Sequence, residues 1–469
     1  MQSLMHPYII ARSVCDVKRF LQKVSFFVEK QETCARGIAI LAFLCYNTID
    51  VHAELNFLCC RKIFSCFFAG IALAFLPHFL QEYNGCNQKR EIMTYFTRYT
   101  SNSIAGSGNQ SWFSMPLDEI RTGRVFYKIT AGGEYTYSLL FSNMMDSTFS
   151  KGDHSHKNLL CEEWQIHAAR VGKCCRVPAD KPLDGWCVEG ANADASVLSW
   201  QTLTFDGHEQ KTVKPGEFFS SDPVPLSFAK GEYLCFELTF SGRMLPYHHE
   251  SMLPIYIKGA DGWHYDVRMP LPGMIGCARP VKARIAYFGD SITQGLGTPY
   301  NAYLHWNALL SERLGETYAF WNLGLGFGRA EDAASDGAWL YKAKQNDVVV
   351  VCFGVNDIFH SGQSAAQIAG RIEKIVQYLT DAGVKVILQT VPPFDYREPY
   401  RTMWQEINAY IRECLRYRVA LLFDNVAVLG KSQAEPHMAK YGGHPNAAGC
   451  AAWADAFYEP LATFLKNNL

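Results

Sequence analysis

Ala283-Arg-Ile-Ala-Tyr-Phe-Gly-Asp-Ser-Ile-Thr-Gln-Gly-Leu-Gly297 decides how the chain is read. The apolar run Ile285–Phe288 has the length and continuity of a buried strand. It breaks at Gly289 into Asp290, Ser291 and two further glycines. A strand of this kind belongs to a parallel sheet, and a serine just beyond it falls at the carboxyl edge, where open α/β folds hold their ligands. Small residues around it let a ligand come close to the hydroxyl. Asp290 or Ser291 is also a good helix cap, so the later stretches have to choose between the two readings.

From here to the end the chain alternates between strands and helices. Strands are expected at Arg284–Phe288, Tyr318–Asn322, Val348–Phe353, Val384–Thr390 and Ala420–Asp424. Helical stretches are expected at Tyr303–Leu314, Glu331–Lys344, Ala365–Ala382 and Tyr400–Tyr417, with a last helix from about Asn446 to Leu465. Right-handed crossovers put every strand-to-helix loop of such a sheet on one edge. Ser291, the glycine-rich Asn322–Gly328 and Gly354-Val-Asn-Asp357 all fall in those loops, and so meet although far apart in sequence. Tyr441-Gly-Gly-His-Pro-Asn446 places His444 just before the last helix, on the same edge.

That convergence carries a chemistry. A serine is a poor nucleophile until a base takes its proton, and His444 is a suitable base. Acyl transfer also needs donors for the developing oxyanion. The backbone N–H of Ser291, an N–H within Gly326-Phe-Gly328 and the side-chain amide of Asn356 are the candidates.

The four blocks together resemble those of the SGNH hydrolases, the GDSL esterase/lipase family. Gly289-Asp-Ser-Ile292 is similar to the serine block, Asn322–Gly328 to the glycine block, Gly354-Val-Asn-Asp357 to the asparagine block and His444-Pro445 to the histidine block. The resemblance covers about Ala283–Leu469. It implies a flavodoxin-like αβα sandwich, a serine acyl-enzyme mechanism with Ser291 and His444 as catalytic residues, an oxyanion hole from Ser291, Phe327, Gly328 and Asn356, and no metal or other cofactor. The chain departs from the family pattern twice. The family glycine falls at Phe327, where a backbone N–H still serves, or the register moves to Gly326 or Gly328. The family aspartate, three residues before the histidine, is Tyr441, which carries no charge at neutral pH. Either a backbone carbonyl orients His444, giving a dyad, or another carboxylate does; Asp424 is the best substitute, with Glu435 behind it. Asp424 also reads as a helix N-cap.

Upstream, from about Thr94 to Pro280, the chain reads as all-β. Tyr135, Tyr137, Leu139 and Phe141 alternate with polar residues, apart from Leu140; Leu234, Phe236, Leu238 and Phe240 do the same. Gly132-Gly133 after Val125–Ile129 suggests a hairpin, Asp206-Gly207 a tight turn and Gly259-Ala-Asp-Gly262 a second hairpin. These strands suggest a β-sandwich or jelly roll. Phe141-Ser-Asn143 and Ser220-Ser-Asp-Pro-Val224 resemble the sandwich that precedes the hydrolase domain in some bacterial and fungal carbohydrate esterases. Trp186, Trp200 and Trp263 are read as core aromatics ahead of a sugar-stacking platform. His154, His156, His248 and His249 lack a ligand spacing and are read as loop histidines. Leu271–Pro280, punctuated by Pro and Gly, is the linker.

Met1–Ile92 is a different kind of sequence. It holds Cys15, Cys34, Cys45, Cys59, Cys60, Cys66 and Cys86, and no CxxC pair occurs anywhere among the 16 cysteines, so a structural zinc site is not expected. Its apolar stretches, Gly37–Tyr46 and Ile63–Leu76, are shorter than the roughly 18 residues of a membrane span, and neither sits where a secretory h-region belongs. The segment is read as sequence upstream of a start at Met93, with a weak anchor or a helical appendage as the other readings, and the chain as cytoplasmic. A chain beginning at Met93 is therefore expected to be soluble and as active as the whole. An insoluble or inactive product would make the segment part of the fold or an anchor. A net charge of -1 gives no basic surface for nucleic acid. The expected activity is removal of small acyl groups, acetyl above all, from a carbohydrate or similar substrate. A lysophospholipase, a thioesterase or a non-catalytic carbohydrate-binding protein are the other readings.

Overall fold

The computed structural model describes residues 96–146, 157–174, 197–430, 436–440 and 443–469. The expectations for Met1–Ile92, His154, His156, Trp186, Glu435 and Tyr441 lie outside them.

Every described helix or strand up to Cys277 is a strand. One sheet joins β1 (Thr100–Ser101), β4 (Gly133–Ser142), β8 (Phe218–Ser220), β9 (Val224–Phe228) and β14 (Met274–Cys277), in the order β1-β14-β4-β8 with β9 also on β4. The other joins β3 (Arg121–Lys128), β5 (Trp164–Cys174), β6 (Leu198–Thr202), β7 (Lys211–Val213), β10 (Tyr233–Gly242), β12 (Ile255–Gly259) and β13 (Gly262–Tyr265). Its order is β13-β12-β3-β10-β5-β6, with β7 on β5. A short pair, β2 (Ser111–Phe113) with β11 (Leu245–Tyr247), stands beside them. All of these pairings are antiparallel.

The two large sheets share one core. Tyr137, Leu139 and Phe141 of β4 pack with Val125 and Tyr127 of β3 and with Leu234, Phe236, Leu238 and Phe240 of β10, all buried. Leu140 breaks the period for a physical reason: it faces the other way, into the core of the C-terminal domain. That sheet is thus covered on both faces, and a strict alternation is not required of it. The hairpin expected at Gly132-Gly133 does not form. β3 pairs with β10 and β12, and β4 pairs in the opposite sheet, so the glycines carry the chain from one sheet to the other. The Asp206-Gly207 turn is present, both residues at positive φ, with Phe205 bridged to His208. The hairpin between β12 and β13 is present too.

The C-terminal domain is a parallel sheet flanked by helices. Its strands are β15 (Ala283–Gly289), β16 (Tyr318–Asn322), β17 (Val348–Cys352), β18 (Lys385–Gln389) and β19 (Leu421–Phe423), in the order β16-β15-β17-β18-β19. Strands β15 and β17 are central and almost wholly apolar, as burial on both faces demands. The helices are α1 (Ser291–Gln294), α2 (Trp306–Leu314), α3 (Ala330–Ala333), α4 (Ala338–Lys344), α5 (Val355–His360), α6 (Ala365–Asp381), α7 (Tyr400–Glu413), α8 (Val426–Leu429) and α9 (Ala447–Asn468). Helix α6 opens on a capping box between Ser364 and Gln367 and buries Ile368, Ile372, Ile375, Val376 and Leu379. The single helix expected at Glu331–Lys344 is two, because Asp336 takes a positive φ and Gly337 starts a new helix. Among the described residues no helix is long and apolar enough to cross a membrane.

Candidate active site

Ser291 is the first residue of α1, directly after the central strand β15. Its neighbour Asp290 caps the helix, Oδ1 accepting from the Ile292 N–H at 3.0 Å. Asp290 is fully buried, and burial pushes its carboxyl up to about 7, with the nearby Asp357 adding to the rise. Asp357 holds the start of α3 in the same way, accepting from the N–H groups of Ala330 and Glu331.

His444 lies in β21 (His444–Pro445), paired with β20 (Ala439–Lys440), just ahead of α9. Ser291 Oγ stands 2.8 Å from His444 Nε2. The approach depends on Gly443, at φ 127. A Cβ there would lie 2.8 Å from the Phe394 Cα, so no other residue lets the loop settle against Phe394. The Phe394 ring meets the imidazole edge to face at 5.1 Å.

The glycine loop rests on α1. Leu325 N–H donates to Gly289 O at 3.1 Å, and a Cβ at Gly324 would overlap the Gln294 backbone. Its N–H groups are not equivalent. Gly326 N–H goes to Gln294 Oε1 and Gly328 N–H to Leu325 O, which removes Gly326 and Gly328 as oxyanion donors, correcting the expectation for Gly328. Phe327 N–H has no partner among the described residues, and neither has Ser291 N–H, as befits the first turn of a helix. Phe327 sits at φ 57, the left-handed region that favours glycine. The backbone thus keeps the conformation of the expected glycine although the side chain is Phe. Asn356, in the first turn of α5, donates from Nδ2 to Gly328 O at 3.1 Å, which ties the asparagine block to the glycine loop. The second hydrogen of that amide is available to an oxyanion.

Asp424 is not joined to His444. Its carboxylate takes Arg412 Nε at 2.7 Å and Nη2 at 3.1 Å, Thr390 Oγ1 at 3.0 Å and the Val426 N–H at 3.2 Å. Burial pushes the carboxyl up, and the Arg412 hydrogen bond and charge outweigh it, holding Asp424 below the usual carboxylate range. This contradicts Asp424 as a third catalytic member; nor is it the N-cap of α8, which is Asn425, although its Oδ1 holds the first helical N–H. Asp424→Asn is accordingly expected to lower turnover by about tenfold or less, whereas a loss on the order of thousands-fold with the fold intact by circular dichroism would restore it as a triad member.

Residues 287–452 match the sequence profile of the GDSL-like Lipase/Acylhydrolase family. The C-terminal domain is a GDSL-like acylhydrolase domain. With it the chain is a carboxylic ester hydrolase. No curated protein matches the sequence. Among solved structures, the chain is similar to a family two carbohydrate esterase from Clostridium thermocellum in complex with cellohexaose. The identity is 13% and the TM-score 0.35, over 78% of this chain and 98% of that one. A carbohydrate esterase of family 3 from Talaromyces cellulolyticus is 18% identical with TM-score 0.33, over 40% and 99%. A member of the lipolytic protein G-D-S-L family from Veillonella parvula is 19% identical with TM-score 0.31, over 38% and 96%. The matched segment of the acylhydrolase domain contains Ser291, Phe327, Asn356 and His444.

Proposed function

We propose that the protein is a serine esterase that removes small acyl groups, acetyl above all, from a carbohydrate through an acyl-enzyme. The observation that carries this reading is the 2.8 Å contact between Ser291 Oγ and His444 Nε2, flanked by two backbone N–H groups without a partner among the described residues and by the Asn356 amide. In the forward step His444 Nε2 takes the Ser291 proton while Oγ adds to the ester carbonyl. The oxyanion is received by Ser291 N–H, Phe327 N–H and Asn356 Nδ2. The protonated imidazole then gives its proton to the leaving alcohol, and water attacking the acyl-serine reverses the sequence. The chain's own residues supply every proton transfer and every oxyanion donor.

The alcohol side is read from the rim. Phe327, His360, Phe359 and Phe394 run ring to ring from the glycine loop to His444, with centroids 6.2, 6.1 and 5.7 Å apart in that order. His360 is exposed and the three Phe rings are half-buried. Flat apolar faces beside a polar reaction centre suit a pyranose ring. The test compares acetylated oligosaccharides with a series of aryl esters of growing acyl length. Turnover of the acetylated sugar, with rates falling steeply as the acyl chain lengthens, is expected. Preference for long acyl chains would favour a lysophospholipase or thioesterase, and binding without turnover a carbohydrate-binding protein.

A further inference from the structure

The sandwich domain reaches the glycine loop from behind. Gln110 Nε2 donates to Gly326 O at 3.0 Å. That carbonyl and the Phe327 N–H belong to one peptide plane and point in opposite directions, so fixing one end fixes the other. Gln110 is itself locked and fully buried. Its Oε1 accepts from the Glu250 N–H at 3.1 Å, and its Nε2 also donates to Glu250 Oε2 at 3.0 Å. The preceding peptide is tied as well: Gly326 N–H donates to Gln294 Oε1 at 2.7 Å, and Gln294 Nε2 donates to Glu250 O. The fit leaves no room, since a Cβ on Gly326 would stand 1.3 Å from Glu250 Oε2.

We propose that Gln110 is a positioning residue of the sandwich domain, clamping the Gly326–Phe327 peptide so that the Phe327 N–H is aimed at the acyl oxygen on Ser291, with Glu250 holding the Gln110 amide in that orientation. The inference rests on the acyl-enzyme reading given above. The hydrogen bond to the carbonyl end polarises the peptide and strengthens its N–H as a donor. The sandwich is then part of the catalytic apparatus, and Gln110 and Glu250 act through the peptide without touching substrate.

The clamp also carries a pH signature. Burial pushes the Glu250 carboxyl up to about 7, against the opposing effect of the Gln110 hydrogen bond. The titratable groups on its own loop are His248 and His249. The Gly106–Gln110 and Leu323–Gly328 segments packed on it carry none. Below about 7 Glu250 is neutral. Above it, a full negative charge lies against the peptide whose far end must stabilise a developing negative charge, so the rate falls as pH rises. Deprotonation of the catalytic imidazole works in the opposite direction, raising the rate with pH. Asp290 titrates in the same range, which makes the variant profile, rather than the wild-type profile, diagnostic.

The experiment measures kcat and KM against pH for a small acetyl ester with the full chain, Gln110→Leu and Glu250→Gln, each also treated with a serine-reactive phosphonate. Gln110→Leu is expected to lower kcat by about a hundredfold, the cost of a misplaced oxyanion donor, with KM little changed and phosphonate labelling of Ser291 slowed in proportion. Glu250→Gln keeps an acceptor for Gln110 and removes the charge. It is expected to hold most of the rate on the acid side and to lose part of the decline above 7. Wild-type kcat in Gln110→Leu, or an unaltered alkaline decline in Glu250→Gln, overturns the clamp. If Gln110→Leu fails to fold by near-ultraviolet circular dichroism, the Glu250→Gln profile decides alone. Absence of labelling at Ser291 in the unaltered protein overturns the acyl-enzyme reading together with the clamp; normal labelling with wild-type kcat in Gln110→Leu overturns the clamp only.

Discussion

Ser291→Ala should lower turnover of a small acetyl ester by roughly 10⁴-fold or more while leaving the fold unchanged. The size follows from the role proposed for the hydroxyl, whose oxygen forms the covalent bond to the acyl carbon. Ser291 is 7% exposed, and removing one oxygen there leaves the Asp290 cap on the Ile292 N–H in place. Thermal unfolding should therefore shift little. Steady-state kinetics on the purified variant checks the effect, and retention of a tenth or more of the wild-type rate would place the nucleophile elsewhere.

Lys342→Ala should cost about 3–5 kcal/mol of stability. Lys342 Nζ in α4 lies 2.6 Å from both Asp146 oxygens and 3.2 Å from Ser142 Oγ at the end of β4. The two charged side chains are 2% and 0% exposed. Asp146 Oδ2 also accepts from the Asn109 N–H at 2.8 Å, so the carboxylate cannot turn out to water when its cation is removed. Such a pair is worth little against an apolar replacement, but breaking it strands a buried charge between the sandwich and the hydrolase domain. A urea titration should show a lower midpoint. The double change Lys342→Met with Asp146→Asn should recover part of the loss, because no charge is left unpaired. A single variant as stable as the wild type would mean that the pair is not the bolt between the domains.

The parallel sheet was legible because its strands are short continuous apolar runs and its site residues sit at their ends, where a local motif is also a position in space. The strand-helix order from Ala283 onward follows directly from that pattern. What the pattern hides is the short helices. Val355–His360 carries Asn356, which the sequence places only in a strand-to-helix loop, since six residues show no period. The sandwich was legible where the second face carries polar residues, as with Glu237, Thr239 and Ser241 along β10, and less so along β4. There Leu140 belongs to the core of the other domain, and neither that nor the crossing of sheets at Gly132-Gly133 has a local signature. Gln110 and Glu250 could not be found at all: each is one of several polar residues in its loop, 140 positions apart, and only the fold brings them to Gly326. The donor proposed at Phe327 was ambiguous for a different reason. Three neighbouring N–H groups look alike in sequence, and the choice among them depends on which are already used by Gln294 and Leu325.

The central claim is that Ser291 carries the acyl group between the two half-reactions. The most direct measurement is rapid acid quenching of the enzyme during turnover of an activated acetyl ester, followed by mass spectrometry of the peptide containing Ser291. The account predicts that this peptide gains the mass of one acetyl group in the wild type and not in Ser291→Ala, together with a burst of released alcohol equal to the enzyme present. Turnover at the full rate with no acetylated peptide and no burst, or the same acetyl mass on another residue, would contradict it.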